Sequence, residues 1–442
     1  MICAYGGSLK HNQIRSGRAE GRVLRPNREI KIRGRIKMRS QDDESGGSDG
    51  LEKVALENEE AETVPLQLPQ STISKLREEI FSLDPFFVTS VENYGNSGVV
   101  FSGNLRGKPD QVRAVLSSRL SKSLGAQYTI YLLENREEKP VVVVIPSESA
   151  EFQTSENVEL VLSVVLSLCT VATTANVMGA ELFNAALLVA KFDPETIMTA
   201  LPGTLGALGI LLSHEIGHLV AASKLGLKLA PPLPIPAGLG LIGSFGTITR
   251  IKSTVPNREA LASLITPGPV AGYFASFSLL LTGLLMTYTG NGGVELDTES
   301  FKESLLIGAL GNAVFGERLF SAVSIDCNPL FVAGWAGLII NGINCIPAGE
   351  LDGTKMFLAL FGRPAASSMS VFSFLALGIA SFTNGLPLFW LLLVLTIQRG
   401  PIVPCQEEIS GVNNMPLRYA ALGSLILPLL ILLPYPNLVP DL

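Results

Sequence analysis

Long apolar segments fill the chain after residue 157, and they constrain its fold more than any other feature. Only 16% of the 442 residues are charged, whereas soluble domains are about one quarter charged. A helix of about 20 apolar residues crosses a bilayer. We therefore predict a polytopic α-helical membrane protein with about seven spans. The predicted spans are Val158–Met178, Thr199–Ser223, Glu259–Tyr288, Phe301–Phe320, Leu330–Ala348, Val371–Ile397 and Leu417–Pro434. Ala180–Leu201 is amphipathic and is predicted to lie at a membrane interface.

Residues 1–65 precede any regular pattern and change from basic to acidic along their length. Such a polar, charged segment is predicted to be disordered. Its Arg-rich, acid-poor beginning resembles an organelle transit peptide more than a secretory signal peptide, because it lacks an apolar core. A basic tail beside anionic lipid and an imperfect gene start are the alternatives.

Residues 66–150 have the periodicity of a small soluble α/β domain. We predict the element order α-β-β-α-β-β. The elements are Ser71–Leu83, Phe86–Tyr94, Gly98–Leu105, Asp110–Leu124, Tyr128–Leu133 and Pro140–Pro146. Residues 157–435 then form the membrane domain.

The segment His214-Glu-Ile-Gly-His218 lies inside the second apolar segment. On a helix, residues four apart share a face, so both imidazoles can bind one metal ion. Glu215 can then take a proton from a water on that metal. Ionisable side chains in hydrocarbon are costly unless they bind something. The alternative is a chance match, which is improbable because the chain has only three histidines.

A catalytic zinc ion takes three protein ligands and keeps one open position. The remaining histidine, His11, lies in the basic N-terminal region, so the third ligand must be a carboxylate. Glu350 and Asp352 are both candidates at the end of one apolar segment. The alternative for Asp352 is an ordinary turn aspartate beside Gly353.

The loop after the second span has an unusual composition. Four prolines between residues 231 and 236 exclude a regular helix. Gly240–Ile251 contains short strand-like stretches. We predict a re-entrant hairpin near the metal, able to pair with an extended substrate strand; a plain connecting loop is the alternative. Basic residues in this loop place it, and with it the soluble domain, on the cytosol-equivalent side: Lys224, Lys228, Arg250, Lys252 and Arg258.

Together with Asn344-x-x-Pro347-x-x-x-Leu351-Asp352-Gly353, the HEIGH segment resembles the site-2 protease family of intramembrane zinc metalloproteases. Gly268-Pro-Val-Ala-Gly272 resembles another recurrent element of that family. Gly103-Asn-Leu-Arg-Gly107 resembles the soluble region of its chloroplast and cyanobacterial branch, the ethylene-dependent gravitropism-deficient and yellow-green type. One plant subgroup has lost the HExxH motif, and this chain, which keeps it, resembles the active members.

The resemblance implies one Zn²⁺ per chain, held by His214, His218 and Asp352, so Asp352 is preferred to Glu350. It implies Glu215 as the general base. It also marks Asn344 as a donor to the oxyanion, with a helix-packing amide as the alternative.

The same resemblance implies a membrane-protein substrate and the lipid bilayer as partners, and no nucleic acid. The expected location is a chloroplast membrane, thylakoid or envelope, with the soluble domain on the stromal side.

Two other functions fit parts of the pattern. Intramembrane His, Glu and Asp residues also mark ion pathways, so a transporter or metal-ion carrier is one alternative. The chain has no convincing internal repeat, which counts against transport. A non-proteolytic membrane scaffold is the other alternative, and the complete set of ligand and base positions argues against it.

Overall fold

The structure is a computed structural model that describes residues 68–81, 84–94, 98–135, 139–147, 156–180, 183–184, 189–190, 193–382, 385–397 and 403–436. The predicted disordered segment and transit peptide, residues 1–65, lie outside the described residues. The strands are β1 Phe86–Tyr94, β2 Gly98–Leu105, β3 Tyr128–Glu134, β4 Pro140–Pro146, β5 Phe183–Asn184, β6 Val189–Ala190, β7 Leu233–Leu239, β8 Ile242–Ile248, β9 Val294–Asp297 and β10 Ser324–Cys327. The helices are α1 Gln70–Lys75, α2 Pro109–Leu124, α3 Glu156–Ala175, α4 Pro194–Leu225, α5 Arg258–Ile265, α6 Pro267–Tyr288, α7 Thr298–Lys302, α8 Leu305–Phe315, α9 Arg318–Ser321, α10 Pro329–Asn344, α11 Asp352–Phe361, α12 Arg363–Ala380, α13 Gly385–Ile397 and α14 Met415–Leu432.

The N-terminal domain is a four-stranded antiparallel sheet in the order β1-β2-β4-β3 with helices packed on it. Its elements follow the predicted order. The first helix is shorter than predicted, since α1 continues as a wider π-type turn from Leu76 to Ile80. Alternate residues of each strand meet the helices, as the two-residue repeat of a strand requires. The core contains Phe86, Phe101, Leu116, Leu132 and Val142.

Four of the described helical segments are long and apolar enough to cross a bilayer. They are Glu156–Ala180, which is α3 with the π-type turn that follows it, Pro194–Leu225, which is α4, Arg258–Tyr288, which joins α5 and α6, and Met415–Leu432, which is α14. They correspond to the first, second, third and last predicted spans. Three further apolar helices, Leu305–Phe315, Pro329–Asn344 and Gly385–Thr396, are shorter.

Three predicted elements differ from the structure. Phe301–Phe320 is not one helix but α7, α8 and α9, because Ser304 caps the start of α8 and Gly316, with φ of 57°, follows its end. Val371–Ile397 is two helices, α12 and α13, separated after Ala380. The last residues of Ala180–Leu201 belong to α4, since Asp193 caps the helix and Pro194 occupies its first turn; the location of the segment at an interface stays a prediction.

Helices α4, α6 and α10 pack against one another in the centre of the membrane part. Apart from Asn341 and Asn344, helix α10 is apolar on every side, and 13 of its 16 residues are buried. A helix that is hydrophobic all round belongs in an interior. The antiparallel hairpin β7–β8 packs between α3 and this centre, so the hairpin and the three helices surround one small region.

Candidate metal centre

Three side chains from two helices converge in that region. His214 and His218 lie on α4, and Asp352 is the first residue of α11. The two Nε2 atoms are 3.0 Å apart. Asp352 Oδ2 lies 3.1 Å from His214 Nε2 and 3.2 Å from His218 Nε2. All three side chains are buried, and among the described residues they form the one group of His, Cys, Asp or Glu spaced to hold a metal ion.

The opposite ring nitrogens explain why this group fits a cation. His214 Nδ1 lies 2.8 Å from Asn341 Oδ1, and His218 Nδ1 lies 3.2 Å from the Leu264 carbonyl oxygen. Both partners are acceptors, so each Nδ1 must donate a proton. In a neutral imidazole, Nε2 then has a lone pair. Two lone pairs and a carboxylate oxygen therefore face each other, and a cation between them removes the repulsion.

The spacing is also suitable for zinc. Tetrahedral zinc with ligand bonds of 2.0–2.2 Å separates its ligand atoms by about 3.3–3.5 Å. The three observed separations are 3.0–3.2 Å, close to that value. Imidazole nitrogen and carboxylate oxygen are ordinary zinc ligands, so these residues fit Zn²⁺.

Asp352 joins the two histidines, whereas Glu350 is not in the group. The second carboxylate oxygen of Asp352 lies 3.7 Å from the Lys355 ammonium, one helical turn further along α11. Lys355 is buried and also donates to the Thr249 carbonyl at 3.3 Å. A buried cation with these partners holds Asp352 so that its other oxygen faces the histidines.

The two glycines of Gly268-Pro-Val-Ala-Gly272 leave room for polar side chains of the site. A Cβ atom at Gly268 would overlap the His218 ring, and one at Gly272 would overlap the Asn341 amide. Helix α6 can therefore approach α4 and α10 closely only with glycine at both positions. The segment lies directly beside the candidate metal centre. Sequence analysis did not predict this position.

Glu215 is buried and points to the hairpin. Its carboxylate accepts hydrogen bonds from the hydroxyls of Thr247 and Thr249, the latter at 3.0 and 2.9 Å. The predicted hairpin is present, which excludes the plain loop. Its first strand, β7, contains two of the four prolines from which sequence analysis concluded only that the stretch is not a regular helix. Proline is tolerated there because the hairpin has only two strands, so each has one edge without a ladder.

Asn344, at the last turn of α10, lies beside the same hairpin. Its amide nitrogen donates to the Phe245 carbonyl at 2.9 Å and to the Ile340 carbonyl at 2.8 Å. Both amide hydrogens are therefore engaged. Asn344 can donate to another oxygen only if the Phe245 carbonyl moves away.

A cavity of about 10 Å³ adjoins His214, Thr247, Asn341 and Asn344, a volume for about one water molecule. Sequence analysis did not identify Asn341, Lys355 or the two threonines. A second asparagine one turn before Asn344, in an otherwise apolar helix, was the available signal, because buried polar residues in membrane helices are usually functional.

Three buried side chains that could hold a metal ion and an adjacent buried glutamate, set in a chain with helices long enough to cross a bilayer, define the class of protein as a membrane-embedded metalloprotease. Comparison with known proteins agrees with this class. Residues 203–382 match the family model described as Peptidase family M50, and residues 74–152 match the EGY3 middle domain. No solved structure matches the chain.

Similar proteins are named as zinc metalloproteases. Probable zinc metalloprotease EGY2, chloroplastic, from Arabidopsis thaliana is 40% identical over 374 residues, which are 84% of this chain and 66% of that protein. Its namesake from Oryza sativa subsp. indica is 38% identical, with 84% and 67% covered. Probable zinc metalloprotease EGY1, chloroplastic, from Oryza sativa subsp. japonica is 31% identical over 400 residues, with 84% and 69% covered.

The chain therefore belongs to peptidase family M50, the site-2 protease family of intramembrane zinc metalloproteases. It spans about two thirds of the length of these curated relatives. The relatives' names favour proteolysis over transport or a scaffold role.

Proposed function

We propose that the chain hydrolyses peptide bonds of membrane-embedded substrate proteins, with His214, His218 and Asp352 as the ligands of one Zn²⁺ and Glu215 as the general base. The observation that supports this most strongly is the convergence of three buried acceptor atoms within 3.2 Å of one another. Acceptors buried without donors are costly, so this arrangement indicates a cation.

When bound, zinc lowers the pKa of a coordinated water to about 7 and polarises the scissile carbonyl. Glu215 accepts the proton of the attacking water and delivers it to the amide nitrogen that leaves. The hydroxyls of Thr247 and Thr249 hold the Glu215 carboxylate in one orientation.

Asn344 is the proposed donor to the oxygen that becomes negative in the transition state. It borders the same cavity as His214. In the structure its amide binds the Phe245 carbonyl of the hairpin. To act as this donor, Asn344 must release the Phe245 carbonyl, so we propose that β8 shifts when a substrate binds. The Asn344 amide then donates to the substrate oxygen instead.

The substrate enters as an extended strand beside the hairpin in this proposal. A helical peptide has its carbonyl and amide groups hydrogen-bonded internally, so it must unwind before attack. The cavity of about 10 Å³ holds no peptide. Phe245 of the hairpin stacks on Trp390 of α13, with ring centroids 5.4 Å apart, so the hairpin and α13 must separate to admit one.

We also propose the domain organisation of the chain and its number of membrane spans. The domains are a possible transit peptide and disordered segment over residues 1–65, a soluble α/β domain over 66–150 and a membrane domain over 157–435. The three shorter apolar helices join the four long ones within the bilayer to give about seven spans. A short helix such as α10 is tolerated at that depth because protein surrounds it.

The location follows from the relatives and from charge. The relatives are named chloroplastic, so we propose a chloroplast membrane, thylakoid or envelope, for this chain. We also propose the stromal side for the soluble domain, and the basic residues of the loop between α4 and α5 support this orientation. Digestion of intact plastid membranes with an added protease tests this: a stromal domain is cleaved from the stromal face alone.

Glu215→Gln tests the chemistry. We expect the variant to bind about one zinc per chain, as the unaltered protein does, because Glu215 is not a ligand. Loss of the base should lower the cleavage rate about 10²–10⁴-fold. Comparison of membrane proteomes that contain either form should reveal a substrate that accumulates with Glu215→Gln. Undiminished proteolysis by the variant contradicts the role of the base, and weak, exchangeable zinc in the unaltered protein favours transport instead.

A further inference from the structure

Asn341 is the one side chain that contacts the Nδ1 atom of His214 among the described residues. It lies on α10, is 2% exposed, and its Oδ1 atom is 2.8 Å from His214 Nδ1. An oxygen acceptor at this position requires the proton on Nδ1. The lone pair is thereby left on Nε2, the atom that faces His218 and Asp352.

The orientation of the Asn341 amide is set by its other atom. Asn341 Nδ2 donates to the Gly337 carbonyl at 2.9 Å and approaches Ser276 Oγ at 3.5 Å. A reversed amide would bring its oxygen against the Gly337 carbonyl oxygen. That contact is repulsive, so the Gly337 carbonyl fixes the observed orientation. Because Gly272 has no Cβ, the amide also fits between α6 and α10.

His218 provides an internal comparison. Its Nδ1 atom faces the Leu264 carbonyl, a main-chain group that no substitution removes. The two histidine ligands are thus oriented by different kinds of group, and only the one on His214 depends on a side chain.

We infer that Asn341 is a positioning residue of the metal centre: it fixes the Nδ1–H tautomer of His214 and so determines how tightly the site binds zinc. This inference rests on the proposed zinc site. Groups that orient a histidine ligand typically contribute about 10–100-fold to metal affinity. The expected size of the effect follows from that range.

Asn341→Leu removes the acceptor and keeps the approximate volume of the side chain. The zinc dissociation constant of the purified full-length protein, measured by competition with a chromophoric chelator, should rise by about 10–100-fold. Asn341→Asp restores an acceptor oxygen and should bind zinc at least as tightly as the unaltered protein. Ser276→Ala is the matched control, because it removes the distant neighbour of the amide and leaves the bond to His214; its zinc affinity should stay within about twofold.

A second measurement reads the tautomer directly. The chain has only three histidines, so ¹⁵N spectra of histidine-labelled protein without metal are simple to assign. His214 should be protonated at Nδ1 in the unaltered protein and in Asn341→Asp, and should lose this preference in Asn341→Leu. If Asn341→Leu does not fold, Asn341→Thr is compared with Asn341→Asp in the same way, since the threonine hydroxyl is too short to reach the ring.

The outcomes separate the two proposals. If the unaltered protein binds no zinc, the proposed function fails. If it binds zinc, and a folded Asn341→Leu binds it equally tightly with the tautomer unchanged, Asn341 only packs α10 against α6 and the inference is overturned.

Discussion

Two regions of the molecule bury charged groups contributed by distant parts of the chain, and they differ in how those groups are paired. One is the metal centre of His214, His218 and Asp352. The other is the strap, which we define as residues 405–408 between α13 and α14. In the strap, Glu408 is 5% exposed and binds the Arg363 guanidinium through two hydrogen bonds of 2.8 and 2.6 Å.

The strap connects the N-terminal sheet with the membrane part by hydrogen bonds on both sides. Leu132 of the edge strand β3 donates to the Gln406 carbonyl at 2.7 Å and accepts from the Glu408 N–H at 3.0 Å. On the other side, the Gln406 and Glu407 N–H groups donate to the Val255 and Pro256 carbonyls at 2.8 and 3.1 Å. Through Leu132, the strap pairs with the edge strand of the sheet. An unpaired edge strand can pair with another chain and aggregate.

The comparison shows how a structural cluster of buried charge differs from a functional one. At Glu408, each carboxylate oxygen meets a donor from the protein. At the metal centre, three acceptor atoms face one another with no donor between them. The N–H groups of the two rings point the other way, to Asn341 and to the Leu264 carbonyl. A buried charge paired inside the protein maintains the fold, whereas converging acceptors need a partner from outside.

The largest effect should come from removing the shared carboxylate of the metal centre. Asp352→Ala should lower the zinc content from about one ion per chain to a small fraction of that and abolish proteolysis, because two histidines alone leave the site incomplete. Metal analysis of the purified protein measures this. Glu350→Ala is the control and should keep its zinc; zinc loss in Glu350→Ala with retention in Asp352→Ala would reverse the assignment of the third ligand.

Breaking the ion pair of the strap should affect the stability of the fold and not the zinc content. Arg363→Met should leave the zinc content unchanged and lower the free energy of unfolding by about 2 kcal/mol, because it leaves Glu408 buried without its main cation. This expected loss is at the low end of the range for removing one partner of a buried ion pair, because the Arg363 side chain is 35% exposed. Denaturant titration of the purified protein measures the change.

The matched control for Arg363→Met is Lys302→Met. The Lys302–Glu299 pair is formed three residues apart on a short helix, and its glutamate side chain is 79% exposed. Exposed pairs contribute less than about 1 kcal/mol. Equal destabilisation by both variants would show that the strap pair has no special role, and zinc loss in Arg363→Met would show that the two regions are coupled.

The smallest effect concerns pH. Glu407 is fully buried in the strap, and burial raises the pKa of its carboxyl although the N–H groups of Ile409 and Ser410 partly oppose the shift. A carboxyl whose pKa is raised on folding stabilises the fold below its unfolded pKa of about 4.3, and this contribution is lost as pH rises through the folded pKa.

Glu407→Gln should therefore match the unaltered protein near pH 4 and be the more stable of the two at pH 7. Thermal midpoints measured over this pH range test the prediction. A difference that shrinks as pH rises would mean that the folded protein prefers the charged carboxylate.

Several features could be predicted because they depend on short stretches of chain. The strands of the N-terminal sheet follow from alternating apolar residues, and four candidate spans follow from apolar length. The errors lie at helix interruptions. Two segments are apolar enough to be predicted as continuous helices, Phe301–Phe320 and Val371–Ile397. In the structure, caps and turns divide each of them into shorter helices.

The sequence by itself determined that two imidazoles share one helix face, because a spacing of four residues has that consequence on any helix. Only the tertiary structure decided their partners. Asp352, Asn341 and Thr249 lie between 34 and 138 residues from the groups they bind. Contacts at such separations depend on how helices and hairpin pack, which no local pattern encodes, whereas the helical repeat depends only on adjacent residues.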